Sequence, residues 1–239
     1  MATPADIIDV ISERLGVPRP TVVQHDRLLA IRGHRRISGR GRAARAQPED
    51  AAALLIAVMA SSAWGQAVKE TTLHYEKYAG LRALLPLTDK PTNWDGVKPL
   101  AGLPEGHNLL EVLTRFIRAC SNQSFRSAGD VWEHVPPNLR KVKFEESAVN
   151  IEVAFQLPFP EVNISISALC PDPENIHEYV EPRIKLSYFM SIAERNAEIS
   201  KKLPNLIDLH QIRYFGSLTL FSLGHLFRNE SVDQSGGSA

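Results

Sequence analysis

The chain is poor in cysteine and aromatic residues and has no long apolar run, and its first 46 residues contain no lysine. The two cysteines, Cys120 and Cys170, lie far apart, with no C-x-x-C pair and no histidine at ligand spacing. That excludes the usual structural zinc sites and a disulfide-stapled scaffold, and two buried thiols are expected instead. No stretch approaches the roughly 20 consecutive apolar residues that a membrane span needs. The opening "MATPADIIDVISERLG" puts Asp6 and Asp9 where a signal peptide carries a basic region and an apolar core, so a cytoplasmic location is expected. There is no G-x-x-x-x-G-K-[ST] motif for nucleotide hydrolysis. His134 beside Glu133, and His177 beside Glu178, are adjacent rather than four apart, so neither pair can grip a metal from one helix face. No metal and no other cofactor is expected.

What is present is an ordinary globular composition with an uneven distribution of charge. Over 239 residues, 44% hydrophobic and 23% charged content supports a core that folds without staples. The 27 basic and 27 acidic side chains cancel overall. Residues 1–46, however, hold arginines 14, 19, 27, 32, 35, 36, 40, 42 and 45 against only Asp6, Asp9, Glu13 and Asp26. A basic head on a mildly acidic body points to two jobs in one chain.

The spacing predicts a helix over residues 4–15, with Thr3 as N-cap, Pro4 in the first turn, Asp6 completing a capping box, and Ile7, Ile8, Ile11 and Leu15 on one stripe. Gly16 supplies a left-handed stop. A second helical period follows through Val22, Leu28, Leu29 and Ile31, with Pro18 and Pro20 tolerable in its first turn and Gly33 as its stop. "QPEDAAALLIAVMASSAW" then begins with Pro48, Glu49 and Asp50 and continues as an almost wholly apolar helix, one that must be buried as the third helix of a head or form a dimer face. Helix is also expected from Thr71 to about Leu85 and over "NLLEVLTRFIRACS". Between them, "PLTDKPTNWDGVKPLAGLPEGH" is the candidate linker or long loop.

The second half alternates. "SAVNIEVAFQL" and "EVNISISAL" read as two antiparallel strands joined at "PFP", and "RIKLSYFM" and "HQIRYFG" as two more, with "SLTLFSLGHLFR" closing as a helix. The fold class is therefore α+β: an N-terminal all-α helix-turn-helix head over residues 1–65, a body of helices and a small antiparallel sheet over 66–228, and a tail over 229–239.

Helix, glycine turn, helix is the geometry that lays a second helix in the DNA major groove. Its candidate contacts are Arg19, Thr21, Gln24, His25 and Arg27, since arginine suits guanine, glutamine suits adenine and the threonine methyl suits thymine. The arginine segment after it, "RGHRRISGRGRAARAQPED", would add Arg32, Arg35, Arg36, Arg40, Arg42 and Arg45 as phosphate contacts. Within it, Arg40-Gly41-Arg42 resembles the Arg-Gly-Arg core of AT-hook peptides, which sink into a narrow minor groove, although Ala43 stands where those have proline.

The longer run, from "ADIIDVISERLGVPRPTV" through "LLAIRG" and "SGRGRAA" to "PEDAAALLIAVMAS", resembles the N-terminal region of helix-turn-helix regulators of alphaproteobacterial phages, prophages and gene transfer agents. The resemblance covers about the first 65 residues. It implies sequence-specific DNA binding, control of phage-like or gene-transfer-agent genes, and no catalytic residues. One departure is Pro18, which stands where such helices often begin with serine or threonine. The expected partners are double-stranded DNA, a second copy of the chain, and RNA polymerase or a co-regulator, in a nucleoid-associated protein. The alternative reading is a small-terminase-like or other structural DNA-handling protein. RNA is disfavoured because the basic segment has no stacking aromatics.

Enzymatic chemistry finds less support. Ala79-Gly80, Ala101-Gly102 and Ala128-Gly129 supply the dipeptide at which self-cleaving repressors are cut, but no serine pairs with Lys185 by spacing. Trp64, Trp94, Trp132, Phe155 and Phe159 could line an effector pocket, yet aromatics at this density ordinarily form core.

Overall fold

The computed structural model describes residues 2–35, 45–61, 70–83, 97–125, 131, 149–157, 160–168, 170–171, 179–180, 183–191, 194, 196–197 and 211–228. Their helices are α1 (Pro4–Leu15), α2 (Arg19–Ile31), α3 (Pro48–Ala60), α4 (Thr71–Ala79), α5 (Leu109–Ser121) and α6 (Ser217–Leu226). The strands are β1 (Arg82–Ala83), β2 (Val149–Leu157), β3 (Glu161–Ala168), β4 (Cys170–Pro171), β5 (Tyr179–Val180), β6 (Arg183–Phe189) and β7 (Gln211–Gly216). The class is α+β, with an antiparallel sheet and a closing helix as the sequence leads one to expect. No helix among the described residues is long and apolar enough to cross a membrane.

Local chemistry sets the ends of the first helices. Thr3 donates its backbone N–H to the Asp6 carboxylate at 2.8 Å, and the Asp6 N–H returns to Thr3 Oγ1 at 3.3 Å. Gly16 ends α1 at φ 63°, and Gly33 closes the turn after α2 at φ 78°, with His34 N–H reaching back to the Leu29 carbonyl at 2.9 Å. Both are left-handed positions that a side chain would strain. Pro18 offers α2 no side-chain cap. The start of α2 is tied instead to α1, where Arg19 Nε lies 2.6 Å from Asp9 Oδ1.

The main sheet runs β1-β6-β3-β2-β7, every neighbour antiparallel, and β4 with β5 makes a separate small ribbon. Strands β2 and β3 pair Ile151 with Ile166, Val153 with Ile164 and Phe155 with Val162, so their apolar sets fall on one face. That face is fully buried, and the helices cover it. The opposite face carries polar pairs such as Ser187 to Asn163, 2.6 Å apart. The alternation read from the sequence is that of a sheet with one covered face.

Helix α3 occupies the centre. All its residues except Glu49 are buried, and it packs against α1, α2, α4, α5, α6 and β2. It is thus a shared spine and not only the third helix of a head. One hydrophobic cluster includes residues from Ala2 to Phe227 and so draws on both the head and the body. Glu49 reaches Arg118 of α5 as an ion pair.

One expectation is revised. The helix from Thr71 stops at Ala79, because Gly80 follows it and Arg82–Ala83 pair with β6 instead. The stretch read as a linker or long loop is a packed loop where it is described: Val97 and Leu100 are fully buried, and a short 3-10 turn spans Lys98–Leu100. Within it, buried His107 accepts from the Tyr188 hydroxyl at 2.8 Å, its other ring nitrogen donating to the Pro104 carbonyl at 3.1 Å. Burial of this imidazole lowers its pKa and that of the tyrosine is raised for the same reason. Phe155 is core, as the density of aromatics led one to expect, stacked on Tyr78 and tilted against Phe215; Trp64, Trp94, Trp132 and Phe159 lie outside the described residues. Of the cysteines, Cys120 is buried.

Helices α5 and α6 are in close contact at Gly224, where an added Cβ would collide with the Cys120 side chain and come within 2.9 Å of its carbonyl carbon. Backbone cannot swing aside, so overpacking of about 1–3 kcal/mol exceeds the ~1 kcal/mol that alanine brings to a helix. Gly224→Ala is therefore expected to lower Tm by roughly 3–6 °C, measured by thermal unfolding followed by circular dichroism.

Candidate nucleic-acid interface

The two faces of α2 have different duties. Val22, His25, Asp26, Leu29 and Ala30 turn inward and are buried. Pro20, Gln24, Arg27 and Ile31 turn outward and are exposed. At about 100° per residue these four fall within a narrow arc of the helix surface. The structure thus leaves one continuous stripe of α2 free of any role in the core.

His25 corrects the sequence reading. It is only 2% exposed, and its Nδ1 lies 2.8 Å from Thr71 Oγ1 at the start of α4. Burial, followed by the charges of Arg213 and His74, depresses its pKa to about 4. It is a neutral core imidazole and cannot reach a base. Ile31 corrects it in the other direction. It sits nine positions from Val22, half a turn round the helix, and is 63% exposed, so it belongs to the outward stripe and not to the apolar face.

The other predicted contacts divide. Gln24 and Arg27 are exposed on the stripe, Thr21 is half-buried beside it, and Arg32 is exposed just beyond the last turn. Arg19 is exposed but already faces Asp9. Arg35 folds back: its Nη2 donates to Asp26 Oδ2 at 2.8 Å and its Nε lies 2.6 Å from Oδ1, both side chains being mostly covered. Burial raises the Asp26 pKa and the Arg35 charge opposes that rise, so this guanidinium has a structural partner and is no simple phosphate contact. Arg45 is exposed. Arg36, Arg40, Gly41 and Arg42 lie outside the described residues.

Two anchors flank the segment that contains them. Arg35 is clamped to Asp26 on one side, and on the other the Ala46 N–H donates to the Ala2 carbonyl at 3.0 Å, with both alanines buried. The C-terminal end of α2 is itself fixed on α4, where His34 Nε2 lies 3.0 Å from Glu76 Oε1 and its ring packs against Tyr75 at 4.8 Å. Exposed Arg27 and Arg32 lie in, and just beyond, the C-terminal half of α2. Its N-terminal end is balanced by Asp9 and carries less net positive charge.

Compared with protein families, with curated proteins and with solved structures, the chain matches none.

Burial of His25 makes stability depend on pH. The unfolded chain protonates this ring near 6.5 and the folded chain only near 4, so between those values the unfolded state binds more protons. Its contribution is complete above about pH 6.5 and is lost as pH falls toward 4, by ~3 kcal/mol in all. Urea unfolding of wild type and His25→Gln at pH 7.5 and 4.5 is expected to show a steeper loss in the wild type; equal slopes would refute the assignment. Asp26 titrates with the opposite sign but is common to both proteins.

Proposed function

We propose that the protein is a non-enzymatic, sequence-specific DNA-binding transcriptional regulator of phage-like or gene-transfer-agent genes, acting as a dimer. The observation that carries this reading is the outward stripe of α2. Gln24, Arg27 and Ile31 stand on one arc with Arg32 beyond them, and none of them serves the core. A helix fits the major groove, where glutamine and arginine have matching donor and acceptor pairs on adenine and guanine. The resemblance of residues 5–61 to phage and gene-transfer-agent regulators supports the class of genes controlled.

The arginine segment between Arg35 and Ala46 supplies salt-dependent affinity in this reading, by neutralising phosphates along the backbone or in the neighbouring minor groove. The head places α2 in the groove, and the body sets the oligomeric state and meets RNA polymerase or a co-regulator. Self-association is supported by exposed Ile212, Tyr214 and Leu218, of which Tyr214 and Leu218 border a cleft of about 570 Å³ beside the end of α1. The cleft's rim mixes Arg14 with Glu13 and Glu152, so a two-fold axis there can set opposite charges against each other.

Selection of binding duplexes from a random pool, followed by titration at several salt concentrations, tests the reading. Gln24→Ala and Arg27→Ala are each expected to relax preference at one base pair by about 1–3 kcal/mol. Arg32→Ala is expected to weaken all sequences alike and to reduce the salt slope by about 1. Arg19→Ala, whose guanidinium is engaged by Asp9, should change little. Sedimentation of the free protein separates a dimer from the ring of many subunits that a packaging component would form, and a ring would overturn the regulator in favour of that alternative.

A further inference from the structure

Ile31 is one of five large apolar side chains that the described residues leave exposed. At the end of a helix it gains nothing from propensity, since branching at Cβ restricts its rotamers there, and it keeps apolar surface in water. The core does not need it: Val22 and Leu29 lie on the opposite side, fully buried. Its surroundings are polar and cationic. Gln24 and Arg27 share its arc, and Arg32 follows it in the chain.

Along α2 the three stripe positions span about 10 Å at 1.5 Å per residue, close to three base-pair steps of 3.4 Å. A helix laid in the groove along this stripe would present an amide, a guanidinium and a branched aliphatic group within a run of about four base pairs. The major groove offers a single apolar feature for the third of these, the C5-methyl of thymine. Building on the DNA-binding reading above, we propose that Ile31 is a specificity-determining residue, one that recognises a thymine by packing on its methyl group within about two base pairs of the one read by Arg27. The arginine supplies attraction, and the isoleucine decides which pyrimidine lies beside it.

The test uses the full chain and the duplexes selected from a random pool, with each thymine replaced in turn by deoxyuridine, which differs only by the missing methyl. Wild type is expected to lose about three- to fivefold in affinity at one position. In Ile31→Ala that thymine-to-uracil ratio should fall close to one, while Ile31→Val retains most of it. Exposure of the side chain means that both variants should fold, which their thermal unfolding checks. If Ile31→Ala leaves the ratio unchanged, or if no thymine in the selected duplex is sensitive to loss of its methyl, this inference is overturned while the DNA-binding reading stands. If Ile31→Ala leaves the ratio intact but converts a dimer to a monomer, the residue serves a protein contact and the inference falls. If no duplex is selected at all, the DNA-binding reading fails, and this inference with it.

Discussion

The fold depends on how the end of α3 is satisfied. An apolar helix buried along its length still finishes with carbonyl groups that have no partner within the helix, and a core supplies no water for them. Here Arg213 of β7 donates to the carbonyls of Val58, Met59 and Ser61, and His74 of α4 offers a ring nitrogen to that of Ala60 at 3.0 Å. A cation also suits the negative end of the helix dipole. Arg213 faces Phe155 across the β2–β7 pairing, on the covered side of the sheet. Burial lowers its pKa, but an arginine has ample margin to remain charged. These bonds fix the sheet, the spine and α4 relative to one another.

The same cluster determines which side of α2 faces outward. Arg213 and His74 stand close enough to His25 to disfavour its charge, and Thr71 gives it a neutral partner. With His25 inward, and Asp26 held beside it by Arg35, the rotation of α2 is set. Gln24 and Arg27 must then face outward. Polar groups in the interior thus decide the composition of the surface stripe, and the candidate interface is coupled to the body through α4 and β7.

Much of the architecture was legible in the sequence because it is local. Thr3 with Asp6, Gly16 and Gly33, and the two-residue alternation of β2 and β3 are encoded within a few positions, and the structure realises them where the pattern puts them. What was not legible depends on distant residues. Nothing near His25 announces that Thr71 and Arg213 lie against it, and nothing near Arg35 separates a clamp on Asp26 from a hand for phosphate. β1 escaped notice because two residues carry no period, and their pairing with β6 is a long-range fact. Ile31 could have been found: Val22 and Leu29, seven apart, define the inner stripe, and nine positions from Val22 leads to the opposite side. Apolar character concealed what the geometry already stated.

For the proposed DNA binding, the two anchors on either side of the arginine segment would have a thermodynamic consequence. A free tail would have to find its ligand independently, whereas here the residues that flank the segment, Arg35 and Ala46, are held at Asp26 and Ala2. Once either element engaged a duplex, the other would meet it at a high effective concentration, on the order of millimolar for short tethers. Release would then require both contacts to fail together. Such a pair converts two modest affinities into long residence, and lets salt, which weakens one of them, set how long the complex lasts.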